Sequence, residues 1–233
     1  MIETVFFDFG GTLAYEPVPH SESFHTFLCE HDIETTRDEV EAGTEAMEEF
    51  NRNWGRQRPG NDSKTLADRF WFNACLHFAR HIRSVPDAHD LAELMHASHT
   101  IIPYRLYDDT LPALEALAAR DLPIGIISNW DAPTLEFATR DLDIRRLFTM
   151  VLSSRNAECE KPDPRIFHKA CRRANASPET SLMVGDSIAA DVEGARAVGM
   201  TPVWINRDGA ARDVGCATVR ALTELPSLLD NLS

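Results

Sequence analysis

Residues 4–13 read TVFFDFGGTL, an apolar run that stops at a carboxylate and is followed by two glycines. Such a run is typical of a strand that is buried on both faces of a parallel sheet. Asp8 therefore falls at the carboxyl end of a predicted first strand. Gly10 and Gly11 follow it, where a backbone without side chains can approach a ligand closely. The segment indicates an α/β fold whose ligand site begins at the end of this strand.

Later apolar runs continue the pattern of buried strands. They are residues 122–128, 150–154, 182–186 and 201–206. Segments with helical periodicity lie between or beside them, at residues 109–120, 131–140, 163–173 and 187–198. Asp163-Pro164 has the sequence of an N-cap followed by a first helical residue, and Gly199 suits the position after a helix end. Alternating strands and helices predict a doubly wound, Rossmann-like parallel sheet with right-handed crossovers.

Residues 16–103 interrupt this alternation, because their patterns are helical throughout. The candidate helices cover residues 22–31, 38–54, 64–83 and 87–99, with a polar loop at 55–63. We therefore expect two domains: a core formed by residues 1–15 and 104–233, and an inserted all-helical cap formed by residues 16–103. Because ligands of open α/β sheets bind at the carboxyl edge of the strands, the cap is expected to lie over that edge.

The composition narrows the classes of partner. The chain has 233 residues and a formal net charge of -14, which repels nucleic acid and anionic membrane surfaces. A small anionic substrate stays compatible with this charge if a bound cation and buried basic groups reverse the local field. No apolar run spans a bilayer, no leader is recognisable, and the five cysteines form no CxxC pair. We expect a cytoplasmic protein without nucleic acid or membrane partners, and the sequence indicates no oligomeric state.

Polar residues recur at the predicted carboxyl ends of separate strands. Asp8, Ser128, Lys161 and Asp186 each lie at such an end or in the loop that follows it. In a parallel sheet these ends meet at one edge, so residues that are distant in sequence become neighbours. The combination predicts a single site built from several loops.

The residue types at this site suit attack on phosphorus. The Asp8 carboxylate can divide a difficult hydrolysis into two displacements through a covalent intermediate. The Ser128 hydroxyl can donate to a phosphate oxygen, and Asn129 can orient the loop. The Lys161 ammonium can neutralise both the nucleophile and the transferring group. Asp186 and Asp191 are close enough in sequence to face the same crevice, and their hard oxygen atoms suit Mg²⁺.

These motifs resemble those of the haloacid dehalogenase-like superfamily. The superfamily usually begins with D-x-D-G-T, and the resemblance continues through Ser128-Asn129, Lys161-Pro162 and Gly185-Asp186-Ser187 with Asp191. It runs over nearly the whole chain and identifies the helical insertion with a C1 cap.

The resemblance implies a magnesium-dependent hydrolase of a small phosphorylated metabolite. It implies catalytic roles for Asp8, Ser128 and Lys161, and substrate binding by Gly11, Thr12 and Asn129. It implies a metal site formed by Asp8, the Gly10 carbonyl, Asp186 and Asp191.

The chain departs from the superfamily pattern at Gly10, where a phosphatase carries its acid/base aspartate. General acid/base groups contribute about 10²–10⁴-fold to a rate, so ordinary monoesters should be hydrolysed slowly. If only this proton donor limits the site, Gly10→Asp should raise monoester turnover.

Gly10 also keeps three alternative functions open. A dehalogenase lacks the second aspartate and needs no metal. A phosphonate C–P hydrolase carries a small residue at this position and uses a cap lysine, for which Lys64 is the candidate here. A non-catalytic protein could bind a phosphorylated ligand without turning it over.

Overall fold

The computed structural model describes residues 1–54, 63–98, 101–130 and 132–232. The chain divides into two compact units, which are Met1–Tyr15 with Tyr104–Ser233 and Glu16–Pro103. Outside the described residues lie residues 55–62 of the polar loop predicted at 55–63, the last residue of the helix predicted at 87–99 and the first residue of the helix predicted at 131–140. The remaining loop residue, Ser63, is the first residue of a helix, so the prediction is wrong at that position. The role of the second unit as a cap remains a prediction.

The first unit is built on a parallel sheet, as the apolar runs predicted. Its strands are β1 (Thr4–Phe7), β4 (Ile124–Ser128), β5 (Met150–Ser153), β6 (Ser181–Gly185), β7 (Thr201–Ile205) and β8 (Ala217–Val219). Within the described residues they form a six-stranded sheet in the order β5-β4-β1-β6-β7-β8, and every pair is parallel. β1 lies in the interior of the sheet between β4 and β6, which explains its uninterrupted burial.

Helices connect these strands on both faces. They are α5 (Thr110–Ala118), α6 (Ala132–Asp141), α7 (Ser154–Ala157), α8 (Pro164–Ala174), α9 (Gly194–Ala197) and α10 (Leu225–Asn231). The side chain of Asp163 accepts a hydrogen bond from the Arg165 amide at the start of α8, which confirms the predicted N-cap. Gly199 has a φ of +83°, so the position predicted to follow a helix end does adopt the left-handed conformation.

Alternate residues of β1 supply two different cores. Val5 and Phe7 pack into the cluster that includes Leu114 and Leu117 of α5. Phe6 points to the opposite face, where it packs with Ile166 and other buried side chains of α8. A strand that is apolar at every position is thereby buried on both faces. This arrangement leaves the carboxyl end of β1, and Asp8 with it, as the place where the strand first meets polar groups.

The second unit is helical and has a core of its own. Its helices are α1 (His20–Glu30), α2 (Arg37–Trp54), α3 (Ser63–Ala79) and α4 (Ala88–Ala97). Phe24, Leu28, Phe78, Leu91 and Met95 are among its fully buried side chains.

Several short elements differ from the expectation. A two-stranded antiparallel ribbon joins β2 (Ala14–Tyr15) to β3 (Arg105–Leu106), and the edge strand β8 and helix α10 were not expected. The helix predicted at 187–198 begins as a π-helical stretch, Ile188–Glu193, before α9. The strands β2, β3 and β8 have only two or three residues and are too short to carry a periodicity, which is why the sequence pattern does not show them. No helix among the described residues combines the length and apolarity that crossing a membrane requires.

Gly43 of α2 provides a test of packing in the helical unit. A Cβ at this position would lie 2.8 Å from Cδ2 and 3.0 Å from the carbonyl oxygen of Phe78 in α3. Alanine improves helix propensity by about 1 kcal/mol, whereas overpacking a core costs about 1–3 kcal/mol. Because the carbonyl oxygen cannot move aside like a side chain, we expect Gly43→Ala to lower the free energy of unfolding in urea denaturation.

Asn51→Ala is the matched control, because Asn51 is an exposed residue of the same helix. This change should raise the free energy of unfolding by about 0.5 kcal/mol through propensity alone. Equal stabilisation by both substitutions would contradict the close approach of α2 and α3 at Gly43.

Candidate functional site

A buried lysine forms the centre of the candidate active site. The Lys161 Nζ donates a hydrogen bond of 2.6 Å to Asp8 Oδ1 and another of 2.6 Å to Asp191 Oδ1. Lys161 is 3% exposed and Asp191 is 1% exposed, so both charges lie away from solvent. Burial alone would lower the pKa of Lys161, but the attraction of Asp8 and Asp191 outweighs it and raises the pKa. The lysine is therefore a fixed ammonium beside the predicted nucleophile.

Asp8 is held where β1 leaves the sheet. Its amide donates to the carbonyl of Val184 in the neighbouring strand, at 2.9 Å, and its side chain is 13% exposed. A carboxylate in this position is fixed by the sheet on its backbone side and by Lys161 on its side-chain side. It keeps a limited exposed surface through which a small substrate can approach.

Gly11, the third residue after Asp8, leaves room for the Asp186 side chain. Gly11 has a φ of +77°, a conformation that favours glycine, and a Cβ there would lie 2.6 Å from Asp186 Oδ2. The next residue, Thr12, is fully buried and its hydroxyl lies 3.4 Å from Asp186 Oδ1. The two residues predicted to bind substrate thus also shape the position of Asp186.

Asp8, Asp186 and Asp191 form the one acidic cluster of metal-binding dimensions found among the described residues. One oxygen of each lies within 4.8 Å of the others. Asp186 is the most exposed of the three, and desolvation followed by repulsion from Asp8 raises its pKa. Three carboxylates face one ammonium, so the cluster keeps an excess of negative charge that a divalent cation could balance.

Asp191 also has a structural role that its predicted place in the metal site did not include. Its Oδ2 accepts a hydrogen bond of 3.0 Å from the Ser187 amide, while its Oδ1 accepts from Lys161. Burial raises its pKa, and Lys161 opposes that rise. Because both of its oxygens already have protein partners, Asp191 holds Lys161 in place, and Asp8 and Asp186 are the better placed metal ligands.

Asn129 clamps the backbone of Lys161. Its Nδ2 donates to the Lys161 carbonyl at 2.9 Å, and its Oδ1 accepts from the Lys161 amide at 2.7 Å. The amide group therefore orients the lysine loop, as the sequence suggested, whereas a direct contact of Asn129 with substrate stays a prediction. Ser128 precedes it at the end of β4 and is 1% exposed. The predicted site residues thus lie at the carboxyl ends of strands or in the segments that follow them, at one edge of the sheet.

Two tryptophans contribute to the site without having been predicted. The Trp204 Nε1 in β7 donates to the Asp186 carbonyl at 2.9 Å. Trp130 directly follows Ser128-Asn129, and its ring approaches Gly10. A signal for Trp130 existed, because it is adjacent to a predicted site residue. Trp204 gave none, because its contact depends on the pairing of β6 with β7.

Arg207 connects the nucleophile loop to the rest of the first unit. Its guanidinium donates to the Thr12 carbonyl at 2.6 Å and pairs with both oxygens of Asp109 at 3.1 Å. It also lies 3.5 Å from the centroid of the Tyr107 ring. Since the arginine follows β7 and reaches a loop 195 residues away, the sequence pattern could not reveal it.

Comparison with known proteins agrees with this geometry. A family model described as haloacid dehalogenase-like hydrolase matches residues 2–199. A haloacid dehalogenase-like hydrolase domain-containing protein 3 of Mus musculus is 32% identical over 142 residues, which cover 59% of this chain and 56% of that protein. A phosphatase of Mycobacterium tuberculosis is 37% identical over 128 residues, covering 53% of this chain and 56% of the relative. The matched segment therefore spans a little over half the length of these relatives.

A solved structure extends the similarity to the whole chain. The 2-haloacid dehalogenase from Pseudomonas syringae pv. Tomato superposes with a TM-score of 0.72 at 25% identity and covers 100% of both chains. Similar proteins therefore include both phosphatases and dehalogenases.

Removing the Lys161 ammonium should lower the free energy of unfolding, because its ion pairs are lost. Lys161→Met leaves Asp8 and Asp191 without their partner, and breaking a buried ion pair in this way costs about 3–5 kcal/mol. We expect a loss of this size in urea denaturation with EDTA present. Adding Asp191→Asn should recover part of the loss, because one unpaired buried charge is removed.

Lys169→Met is the control for loss of a lysine without a carboxylate partner. Within the described part of the chain, the Lys169 Nζ donates a hydrogen bond to the Ala157 carbonyl and pairs with no carboxylate, so its replacement should cost about 1–2 kcal/mol. If Lys161→Met were no more costly than Lys169→Met, the ion triad would not hold the site together.

Proposed function

The chain belongs to the haloacid dehalogenase-like hydrolases, and we propose that it hydrolyses a small phosphorylated metabolite through an aspartyl-phosphate on Asp8. The observation that carries this proposal is the Lys161 ammonium, which lies 2.6 Å from Asp8 inside a cluster of three carboxylates. A fixed positive charge beside a carboxylate nucleophile lowers the repulsion that an anionic phosphate would meet. The site is therefore built for nucleophilic attack on an anion.

Each predicted residue has a defined role in this proposal. Asp8 forms the bond to phosphorus, and Lys161 neutralises the nucleophile and a phosphate oxygen. The hydroxyl of Ser128 and the backbone amide of Thr12 bind the remaining phosphate oxygens. The Gly11 amide donates to the Ala14 carbonyl at 2.8 Å, so Gly11 serves the site by leaving room for Asp186. The main role of Asn129 is to keep the loop that carries Lys161 in position, and contact with the substrate is its secondary role.

The acidic cluster fits Mg²⁺ as a cofactor. Its donors are carboxylate oxygens, which Mg²⁺ prefers, and their excess negative charge needs a cation if a phosphate is to bind beside them. Asp8 and Asp186 would hold the ion, with the Gly10 carbonyl as a third protein donor and Asp191 behind them. When bound, the ion supplies charge stabilisation for the transferring phosphoryl group.

The absence of a carboxylate at Gly10 affects the two chemical steps of this reaction differently. In the first, a bond forms from the Asp8 oxygen to phosphorus and the bond to the leaving oxygen breaks. A leaving group that is stable as an anion needs no proton for this step. In the second, water attacks phosphorus, the bond from phosphorus to the Asp8 oxygen breaks, and inorganic phosphate leaves. A general base would normally accept the proton of the attacking water. Because Gly10 offers no such base, the second step is expected to limit turnover of activated substrates.

An activated aryl phosphate should therefore give burst kinetics. With p-nitrophenyl phosphate and Mg²⁺, we expect rapid release of about one equivalent of nitrophenol per active site, followed by a slow steady state, as for other covalent intermediates. Stopped-flow absorbance measures the burst, and acid quench followed by mass spectrometry measures a phosphate adduct on Asp8.

Asp8→Asn is the matched control, because it preserves the size of the side chain and removes the nucleophile. It should abolish both the burst and the adduct. A burst that survives in this variant would refute the role of Asp8 as the nucleophile. Ligand-dependent stabilisation without any release of phosphate by the wild-type protein would refute the proposal and favour a non-catalytic binding protein.

A 2-haloacid dehalogenase is the second candidate function. The full-length similarity to the Pseudomonas syringae enzyme favours it, and so does the absence of a carboxylate at Gly10. In this reaction Asp8 would attack carbon and displace a halide, which needs no proton donor for its departure. A phosphonate C–P hydrolase depends instead on Lys64, whose side chain lies outside the described residues.

Metal removal should distinguish the two candidates. We expect EDTA to abolish phosphate release and Mg²⁺ to restore it, because the carboxylate excess repels a phosphate when no cation is bound. Halide release from 2-chloropropionate should be absent with and without EDTA. Halide release that depends on Asp8 and is insensitive to EDTA would instead establish the dehalogenase function.

A further inference from the structure

The space beside Gly10 is bounded by an indole ring. A Cβ added to Gly10 would lie 3.4 Å from Cζ2 of Trp130 and 3.8 Å from both Cε2 and Nε1. These are van der Waals distances for a methyl group. The ring thus occupies one side of the space beside this Cβ position, and a longer side chain at residue 10 would have to turn away from it. Trp130 therefore borders the position where a phosphatase would carry a second carboxylate.

The ring is supported from behind by other aromatic side chains. Phe9, which is fully buried, lies 4.9 Å from Trp130 between ring centroids at an angle of 68°. Tyr104 lies 4.6 Å from the same ring at 53°. The Trp130 carbonyl accepts a hydrogen bond of 3.2 Å from Ser154 Oγ. Since aromatic pairs contribute about 0.5–1.5 kcal/mol each beyond their buried area, displacement of the indole would be costly.

We propose that Trp130 is a specificity-determining residue that fills the position of the missing acid/base carboxylate and restricts turnover to substrates whose leaving oxygen departs as an anion. The substrate class is then acyl phosphates, phosphoanhydrides and aryl phosphates. This inference rests on the proposed phosphohydrolase function. It explains why Gly10 occurs beside an otherwise complete set of charged residues.

The chemistry of the first step supports this choice of substrate. When the bond between Asp8 and phosphorus forms, the leaving oxygen takes the electron pair of the broken bond. A carboxylate, phosphate or phenolate is stable with that pair, whereas an alkoxide has to be protonated as it departs. An indole N–H is too weak an acid to supply this proton. An apolar ring in this position therefore selects against alkyl phosphate monoesters.

A double-mutant cycle tests whether the ring or the glycine limits the site. The proteins are the wild type, Gly10→Asp, Trp130→Ala and the double variant, and the probes are glycerol 3-phosphate and p-nitrophenyl phosphate with Mg²⁺. We expect Gly10→Asp to raise kcat/KM for the alkyl ester by less than about 10-fold in the wild-type background and by about 10²-fold or more in the Trp130→Ala background. The gain in kcat/KM for the aryl ester should be much smaller in both backgrounds, because nitrophenolate leaves without a proton.

Equal gains from Gly10→Asp in the two backgrounds would overturn the inference, and so would the absence of a gain in both. These results differ from failure of the proposed function, which would appear as no Asp8-dependent release of phosphate from the aryl ester by the wild-type protein. If Trp130→Ala lowers the thermal midpoint so far that the protein is unfolded, Trp130→Leu replaces it. Leucine keeps an apolar contact with Phe9 and removes the outer ring, and the same outcomes apply.

Leu111→Ala is the control for truncation of an apolar side chain in the first unit. Leu111 belongs to α5 and is 36% exposed. Its truncation should leave kcat/KM for both substrates, and the effect of Gly10→Asp on kcat/KM, unchanged. If Gly10→Asp raised kcat/KM for the alkyl ester as much in the Leu111→Ala background as in the Trp130→Ala background, the gain would be a general effect of destabilisation. That result would overturn the specific role of Trp130.

Discussion

The candidate site depends on one buried ammonium that is shared by two carboxylates. Removing Lys161 and its partners from water costs several kcal/mol for each ion, and only close pairing offsets that cost. The contacts at 2.6 Å join residues 153 and 30 positions apart in the chain. The segment after β1, the loop before α8 and the helical turn after β6 are therefore tied to one point. A displacement of any of them leaves a charge buried without its partner.

Hydrogen bonds from side chains to the main chain extend this constraint to the surrounding loops. Asn129 binds both the amide and the carbonyl of Lys161, and Trp204 binds the carbonyl of Asp186. Arg207 binds the carbonyl of Thr12 while its own position is set by Asp109. These side chains fix the backbone of the loops and leave Asp8 and Asp186 to face the proposed substrate and cation. The division of roles explains why Asn129 is oriented toward protein groups.

The sequence predicted the parts of the fold that follow from burial and periodicity. The interior strand β1 was visible as an apolar run, and the rule that parallel strands end at one edge was sufficient to bring Asp8 near Asp186. The ribbon of β2 and β3 was not visible, because two residues cannot show an alternation. Trp130 and Arg207 could not be assigned either, since their roles depend on side-chain directions and on contacts that only the folded chain creates. Sequence reasoning therefore found the charged groups and missed the residues that shape the space around them.

Gly10 shows the consequence of that difference. From the sequence alone, Gly10 is the loss of a carboxylate, and restoring that carboxylate should raise monoester turnover if only the proton donor limits the site. The fold instead puts an indole edge against the glycine, with Phe9 and Tyr104 packed behind it. In the proposed reaction, stabilisation of charge on phosphorus would come from Lys161 and from a cation held by the acidic cluster, neither of which needs a side chain at Gly10. Proton transfer to the leaving group would be the role of the carboxylate that Gly10 lacks. The two requirements can therefore change separately in evolution, so that a site can keep its capacity for attack while the range of leaving groups it accepts becomes narrower.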